Sequence, residues 1–292
     1  MAHVLTHMES RMKLLLFSVL FMSILTSCQK ESKEADSLAG KTLLNVSYGG
    51  DDRQKMDVYL PAGRTNKSTK AIVLIHGGSW TSGNKTELAA YIDTFKKRMP
   101  ELAIININYR LAGNGVTLAA AEQDVHAAIQ AIAGSADEWG INKANIGLLG
   151  VSAGSHLALL HAYKQTSPVR IKAVIDYFGP TDLVTMYQQP WHPLVTVLLN
   201  AVMGTTPEAN MEAYRQSSPI NFVTAQSPPT LILHGSADAV VAVSQSQALK
   251  AKLDVAGATS QLQVYEGEGH GWYGAKMAHS FDLVQAFLNQ HL

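Results

Sequence analysis

Two periodicities alternate along this chain. Short apolar, β-branched runs bounded by turn residues read as strands: Leu43–Tyr48, Met56–Leu60, Ala71–Ile75, Leu102–Ile107, Ile146–Leu149, Ile171–Ile175, Thr230–Leu233 and Leu262–Tyr265. The first two flank Gly49-Gly50-Asp51-Asp52 and predict an opening hairpin. Ala71–Ile75 is apolar throughout, as a strand buried on both faces must be, and Leu102–Ile107, Ile146–Leu149, Ile171–Ile175 and Thr230–Leu233 are nearly so. Between them lie helical patterns. Leu118, Ala121, Val125, Ile129 and Ile132 recur at spacings of three and four, which predicts a helix over Thr117–Ala133. Thr86–Met99, Ala153–Tyr163, Ser244–Ala256 and Met277–Leu292 are the other helical candidates. Strand alternating with helix predicts an α/β domain: a mostly parallel, eight-stranded sheet with helices on both faces.

One stretch breaks the alternation. Residues 180–229 hold many of the prolines, with Met186, Tyr187, Trp191, Met203 and Met211 among them. Insertions of this length in an α/β sheet either shape the substrate site as a lid or pack as helical decoration, and the pattern leaves both open.

The N-terminus has a different pattern. Arg11-Met12-Lys13 precedes an apolar run over Leu14–Leu25, shorter than the roughly 20 residues that a spanning helix needs. A basic run followed by a short apolar one is the plan of a secretory signal peptide. Leu25-Thr26-Ser27-Cys28 then resembles a lipobox, where the cysteine is acylated and becomes the new N-terminus. The expected organisation is a signal peptide over 1–27, a polar tether over 28–41 and one α/β domain over 42–292. The resemblance implies an exported protein held at a bacterial membrane surface by lipid on Cys28.

Composition narrows the function. Of 292 residues, 23 are Lys or Arg and 23 are Asp or Glu, so no overall basic footprint suggests nucleic acid. Cys28 is the only cysteine, which excludes an intramolecular disulfide and cysteine-based metal clusters. No metal or organic cofactor is implied, and oligomeric state is not legible.

Candidate chemistry starts at Gly150-Val151-Ser152-Ala153-Gly154, a G-x-S-x-G directly after a buried strand and before a helix. This is the context of a nucleophile elbow, where a strained turn lifts the serine hydroxyl clear of the sheet. Serine needs a base, and the base an orienting acid, in chain order Ser, Asp or Glu, His. His270, in Gly267-Glu268-Gly269-His270-Gly271-Trp272, follows the last strand, and Asp238 follows the strand before it. Both loops therefore open on the sheet edge from which Ser152 emerges. His156 and His161 lie on the helix of Ser152 and read as structural; His126, His192, His234 and His279 lack a suitable loop. Glu266 and Glu268 are too local to orient His270, and Asp182 reads as a helix cap.

His76-Gly77-Gly78-Ser79-Trp80 follows the first central strand. Backbone N–H groups of Gly78 and Ser79, with that of Ala153, would stabilise a developing oxyanion, each contributing roughly 3–4 kcal/mol. Trp80, Trp272 and Tyr273 are the expected pocket walls.

Together with Asn108-Tyr109-Arg110-Leu111 and Gly179-Pro180-Thr181-Asp182, these segments resemble an α/β-hydrolase carboxylesterase. They are most similar to the branch holding hormone-sensitive-lipase-like esterases, kynurenine-formamidase-like enzymes and bacterial feruloyl or acetyl-xylan esterases. The loop reads H-G-G-S-W rather than H-G-G-G, which favours the formamidase and feruloyl-esterase side over lipases. The resemblance implies a serine carboxylesterase acting through an acyl-enzyme on short-acyl or hydroxycinnamoyl esters, decorated plant polysaccharides among them. Two rivals stand beside it: an amide-cleaving serine hydrolase (formamidase or peptidase), and a binding lipoprotein without turnover.

Overall fold

The structure, a computed structural model, describes residues 38–164 and 169–292. The expected signal peptide, Cys28 and all but the end of the tether lie outside them.

The strands are β1 (Lys41–Ser47), β2 (Lys55–Leu60), β3 (Ala71–Ile75), β4 (Ala103–Ile107), β5 (Ile146–Val151), β6 (Ile171–Tyr177), β7 (Thr230–Gly235) and β8 (Ser260–Tyr265). They form one sheet in the order β1-β2-β4-β3-β5-β6-β7-β8. β1 and β2 pair as the expected hairpin, β2 runs antiparallel to β4, and every later pairing is parallel. The expected mostly parallel eight-stranded sheet of an α/β-hydrolase is what forms.

Helices cover both faces: α1 (Ala89–Arg98), α2 (Leu118–Trp139), α3 (Ala153–Lys164), α4 (Leu183–Gln188), α5 (Leu194–Met203), α6 (Pro207–Gln216), α7 (Ser244–Ala256) and α8 (Gly274–His291). Alternate residues of β3 show why its run must be apolar throughout. Ala71, Val73 and Ile75 pack with α2 and α3, whereas Ile72 and Leu74 face α1 and α8. Each is fully buried, and burying a Val, Leu or Ile side chain contributes roughly 1.5–3 kcal/mol.

Two helices depart from expectation. α2 runs six residues past Ala133, to a Gly140 in the left-handed region (φ 64°). Gly134 lies inside the helix at a cost of only about 1 kcal/mol, and Ala136 and Trp139 continue the buried stripe beyond it. Before α1, Lys85–Leu88 forms a 3₁₀ turn closed by an Asn84–Glu87 capping box, so the expected single helix is two segments.

The 180–229 insertion is built into the core. Leu183, Met186, Val195, Leu199, Val202 and Tyr214 join the same apolar cluster as α2 and α3. Asp182 caps α4, accepting from the N–H groups of Val184 and Thr185, as its sequence context predicts. Trp191 Nε1 donates to the Ala239 carbonyl (3.0 Å) and ties the insertion to the loop after β7.

The order of strands places the site. The chain steps from β3 outward to β4, then returns to lay β5 on the other side of β3. Loops leaving the carboxyl ends of β3 and β5 diverge, and the crevice at such a switch point is where open α/β sheets bind ligands.

Candidate active site

β5 ends at Val151, and Ser152 turns the chain into α3 with φ of +54°, a conformation that costs a non-glycine residue about 1–2 kcal/mol. Its N–H donates to the Tyr177 carbonyl (2.8 Å), and its carbonyl accepts from the N–H of His156 (3.1 Å). Glycine is required on both sides. A Cβ on Gly154 would lie 2.1 Å from the Ile75 carbonyl oxygen, and one on Gly150 would lie 2.3 Å from that of Gly154. Without those side chains the first turn of α3 seats directly on the end of β3.

The three residues chosen from chain order meet. Ser152 Oγ–H donates to His270 Nε2 (2.9 Å), and His270 Nδ1–H donates to Asp238 Oδ2 (2.7 Å). Asp238 has a fully buried side chain, whereas that of His270 is 20% exposed. Asp238 Oδ1 accepts from the N–H groups of Val240 (2.7 Å) and Val241 (2.9 Å). Burial pushes this carboxyl up, but hydrogen bonds from His234, His270 and the Val241 N–H outweigh it and hold the group well below the usual carboxylate range. Asp238 is therefore an anion, and an anion on Nδ1 leaves Nε2 free to accept the serine proton.

His234 is a contact of Asp238 that sequence reasoning passed over. It is fully buried, with Nε2 donating to the Val241 carbonyl (2.9 Å) and lying 3.1 Å from Asp238 Oδ2. Nδ1 accepts from Ser246 Oγ (2.7 Å), which fixes the tautomer. The missed signal was the i, i+4 spacing of His234 and Asp238 within one strand-end turn. Phe178 was missed too; its ring packs 4.5 Å from that of His270. Asp176, at the carboxyl end of β6, is fully buried, and burial pushes its carboxyl up to about 6.

The loop after β3 carries three consecutive left-handed residues: Gly78 (φ 107°), Ser79 (52°) and Trp80 (61°). Backbone N–H groups at Gly78, Ser79 and Ala153 donate to no other group among the described residues. Strain of this kind, of order 1–3 kcal/mol per residue, persists only where surroundings enforce it. Here His76 stacks on Tyr109 with ring centroids 4.3 Å apart. Arg53 donates through Nη2 to His76 Nε2 (3.3 Å) and the Gly83 carbonyl (2.9 Å), and through Nε to the Tyr109 carbonyl (3.1 Å). Tyr109 Oη–H donates to the His76 carbonyl (3.0 Å). Burial takes the His76 imidazole down to about 4, so it is neutral, donating from Nδ1 to the Gly77 carbonyl (2.7 Å). Arg53 was not singled out from sequence, because nothing local to it points to a loop 23 residues away.

Trp80 requires a correction. Expected as a pocket wall, it is buried at 1% exposure, and its Nε1 donates to His156 Nδ1 (3.3 Å). His156 in turn donates to the Ser217 carbonyl (2.7 Å). The large apolar ring does more in the core, where it joins the strained loop to α3 and the insertion. Trp272 is also 1% exposed, packed among Tyr177, Phe178 and Tyr265, but its edge borders a groove of about 860 Å³ beside His270. Tyr273 lines the same groove and is 91% exposed. Glu268 bonds Lys276 (2.7 Å) rather than His270. Among the described residues no group of three His, Cys, Asp or Glu is placed to hold a metal ion.

Such an arrangement can remove a proton from a serine hydroxyl, hold it, and stabilise negative charge opposite. Known proteins fit that chemistry. Residues 56–253 match the family model described as BD-FAE. Esterase LipC of Mycobacterium tuberculosis is 28% identical over 84% of this chain and 64% of its own length. Isoprenylcysteine alpha-carbonyl methylesterase ICME of Arabidopsis thaliana is 25% identical over 77% of this chain and 56% of its own. The chain thus spans between about half and two thirds of these curated relatives. Among solved structures, a truncated form of a carbohydrate esterase from gut microbiota superposes with TM-score 0.73 at 26% identity, covering 87% of this chain and 98% of its own. A thermophilic esterase of Thermogutta terrifontis shares the fold at TM-score 0.70 and 24% identity, covering 86% and 94%.

Proposed function

From the premise that this chain belongs to the BD-FAE family of α/β-hydrolases, we propose that it is a serine carboxylic ester hydrolase. The observation that carries the reading is the unbroken chain of hydrogen bonds Ser152–His270–Asp238 at the carboxyl edge of the sheet. Ser152 Oγ attacks the ester carbonyl while its proton passes to His270 Nε2. The carbonyl oxygen takes the negative charge and is held by the N–H groups of Gly78, Ser79 and Ala153. The tetrahedral intermediate collapses, breaking the bond to the alcohol oxygen, which leaves with the proton from Nε2–H. Water, deprotonated by His270, then releases the acid and regenerates Ser152. Asp238 stays ionised throughout and stabilises the imidazolium.

The finer part of the proposal is a preference for short acyl or hydroxycinnamoyl groups. It is supported by the H-G-G-S-W loop and by likeness to a protein described as a carbohydrate esterase. Export and lipid attachment at Cys28 complete the proposal, supported by the basic, apolar and small-residue order before that cysteine.

The test is Ser152→Ala, expected to lower kcat on aryl acetates on the order of 10³-fold or more with an unchanged circular dichroism spectrum. Near-wild-type turnover by the folded variant overturns the assignment. A kcat/KM series from acetyl to palmitoyl, with methyl ferulate alongside, checks the acyl preference; a maximum at palmitoyl makes the enzyme a lipase. Labelled palmitate entering the wild type but not Cys28→Ser checks the anchor.

A further inference from the structure

One buried carboxyl at the catalytic edge has no part in the acyl transfer. Asp176 lies near the end of β6, opposite Gly150 of β5 and Ile232 of β7. It is fully buried, with Oδ1 accepting from the Gly179 N–H (2.8 Å) and Oδ2 without a hydrogen-bond partner. Burial pushes the carboxyl up to about 6, against the pull of the Gly179 N–H, of His234 on β7 and of the nearby Ser155 hydroxyl on α3. Tyr163, also on α3, is the other titratable group that feels it. A pKa raised in the fold means stability lost as pH rises through about 6, because the folded chain then holds an anion that the unfolded chain would hydrate. Destabilising groups of this kind gather where a protein uses them.

The next three residues show the use. Asp176–Gly179 is a turn that touches the supports of all three triad members. The Tyr177 carbonyl accepts from the Ser152 N–H (2.8 Å) and from Ser155 Oγ–H (3.1 Å), and the Tyr177 N–H donates back to Ser155 Oγ (2.9 Å). Phe178 N–H donates to the Leu233 carbonyl (2.8 Å) on β7, the strand that leads to Asp238. Phe178 itself is held at φ of +46°, rare for so bulky a residue, with its ring packed 4.5 Å from that of His270. Gly179 completes the turn with no room for a side chain: a Cβ there would lie 2.5 Å from Ser155 Cβ and 2.8 Å from Asp176 Oδ1. The side-chain bond that spans the strained residue is the one from Gly179 N–H to Asp176 Oδ1.

We propose that Asp176 is a positioning residue: its carboxylate closes the Asp176–Gly179 turn and, through Phe178, sets the ring of His270 against Ser152 Oγ. The inference rests on the ester-hydrolase reading and adds a group outside the triad on which the rate depends. A carboxylate accepts from an N–H more strongly than a carboxylic acid does. Protonating Asp176 therefore loosens the turn, so rate and stability respond to this group with opposite signs.

The experiment follows aryl acetate hydrolysis and thermal melting from pH 4.5 to 9 in wild type, Asp176→Asn, Asp176→Ala, Phe178→Leu and the Asp176→Asn/Phe178→Leu double variant. Asp176→Asn keeps an acceptor for Gly179 but cannot ionise, and should lower kcat about 3- to 10-fold at pH 8 with KM nearly unchanged. Asp176→Ala should lose more, so the amide rescues in part. The acid limb of kcat/KM should be steeper than a single ionisation in wild type and fall to one ionisation in Asp176→Asn. The melting temperature of Asp176→Asn should rise at pH 8 and not at pH 5. Phe178→Leu should also lower kcat, and the double variant should lose less than the two single losses multiplied, as residues on one route do. Wild-type kcat and acid limb in Asp176→Asn, whatever the melting shift, overturn the proposal, as do fully multiplicative losses. Should Asp176→Ala fail to fold, the asparagine and leucine variants decide the matter. Failure of the wild type to react with a fluorophosphonate overturns the ester-hydrolase reading itself, whereas labelling with unaltered kinetics in Asp176→Asn overturns only the positioning role.

Discussion

Two pairs of histidines in this molecule are alike in residue type and unlike in everything that matters chemically. His234 lies at the end of β7 and His270 in the loop after β8, with Asp238 bonded between them. His126 and His161 face each other across α2 and α3 with ring centroids 5.7 Å apart. In the first pair every ring nitrogen has a partner, and one of those partners is Ser152 Oγ. In the second, both nitrogens of His161 and Nδ1 of His126 are buried without a hydrogen-bond partner. Burial takes His161 down to about 4, so this ring is a neutral space-filler. Histidine near a serine helix is thus not chemistry. What makes it chemistry is a buried carboxylate that fixes the tautomer and a loop that leaves the other nitrogen facing the nucleophile.

The comparison breaks hardest at the carboxylate. Asp238→Asn keeps the shape but donates where the aspartate accepts, so it should cost about 10⁴-fold in kcat; Glu268→Gln, on a side chain bonded to Lys276, should cost almost nothing. A larger loss at Glu268 would mean that the wrong carboxylate had been chosen.

Next is His234. Removing a buried donor to a charged acceptor costs roughly 1.5–3 kcal/mol, so His234→Phe should lower kcat about 10- to 100-fold with little change in KM. His234→Gln, which keeps an N–H near the Nε2 position, should recover part of it. Equal loss in both variants, or a change in KM alone, would make His234 merely structural.

A smaller effect is expected at Arg53, which braces another buried imidazole, His76. Arg53→Met removes the donors to His76, Gly83 and Tyr109 and should slow kcat several-fold, roughly 1 kcal/mol or more of lost oxyanion stabilisation. Unchanged steady-state kinetics would show that strain at Ser79 and Trp80 is held by Tyr109 alone.

The least effect belongs to His161, and it is on stability rather than rate. Its folded pKa is depressed, so between pH 6.5 and about 4 the unfolded chain binds the extra proton. Stability is therefore full above about 6.5 and falls as pH drops toward 4. His161→Leu removes that proton uptake and two unpartnered nitrogens, and should raise the melting temperature at pH 5 more than at pH 8, with turnover unaltered. An equal shift at both values would show that the imidazole does not resist protonation.

Local physics was enough for much of this protein. Eight short, mostly apolar runs declared eight strands because a strand covered on both faces must be largely apolar, and Ala71–Ile75 and Ser244–Ala256 have the predicted limits. Ser152, Asp238 and His270 were legible because each stands at a strand end, where topology forces loops to one edge. Elsewhere the pattern was blind for stated reasons. The predicted helix over Thr117–Ala133 fell short of Trp139 because its apolar spacing was read locally, while burial of Trp139 is decided by the fold. Trp80 looked like a pocket wall because a sequence shows a ring's size but not the direction in which a left-handed backbone turns it. Arg53 reaches His76 and Tyr109 because β2 lies beside β4 and β4 beside β3, and the groove at Tyr91 and Tyr273 exists because the helices after β3 and β8 cover the same face of the sheet. Sequence alone determined which residues carry reactive groups, since reactivity belongs to the side chain. Tertiary structure decided which of them are aligned, paired and open to a substrate, since those are properties of distance and burial.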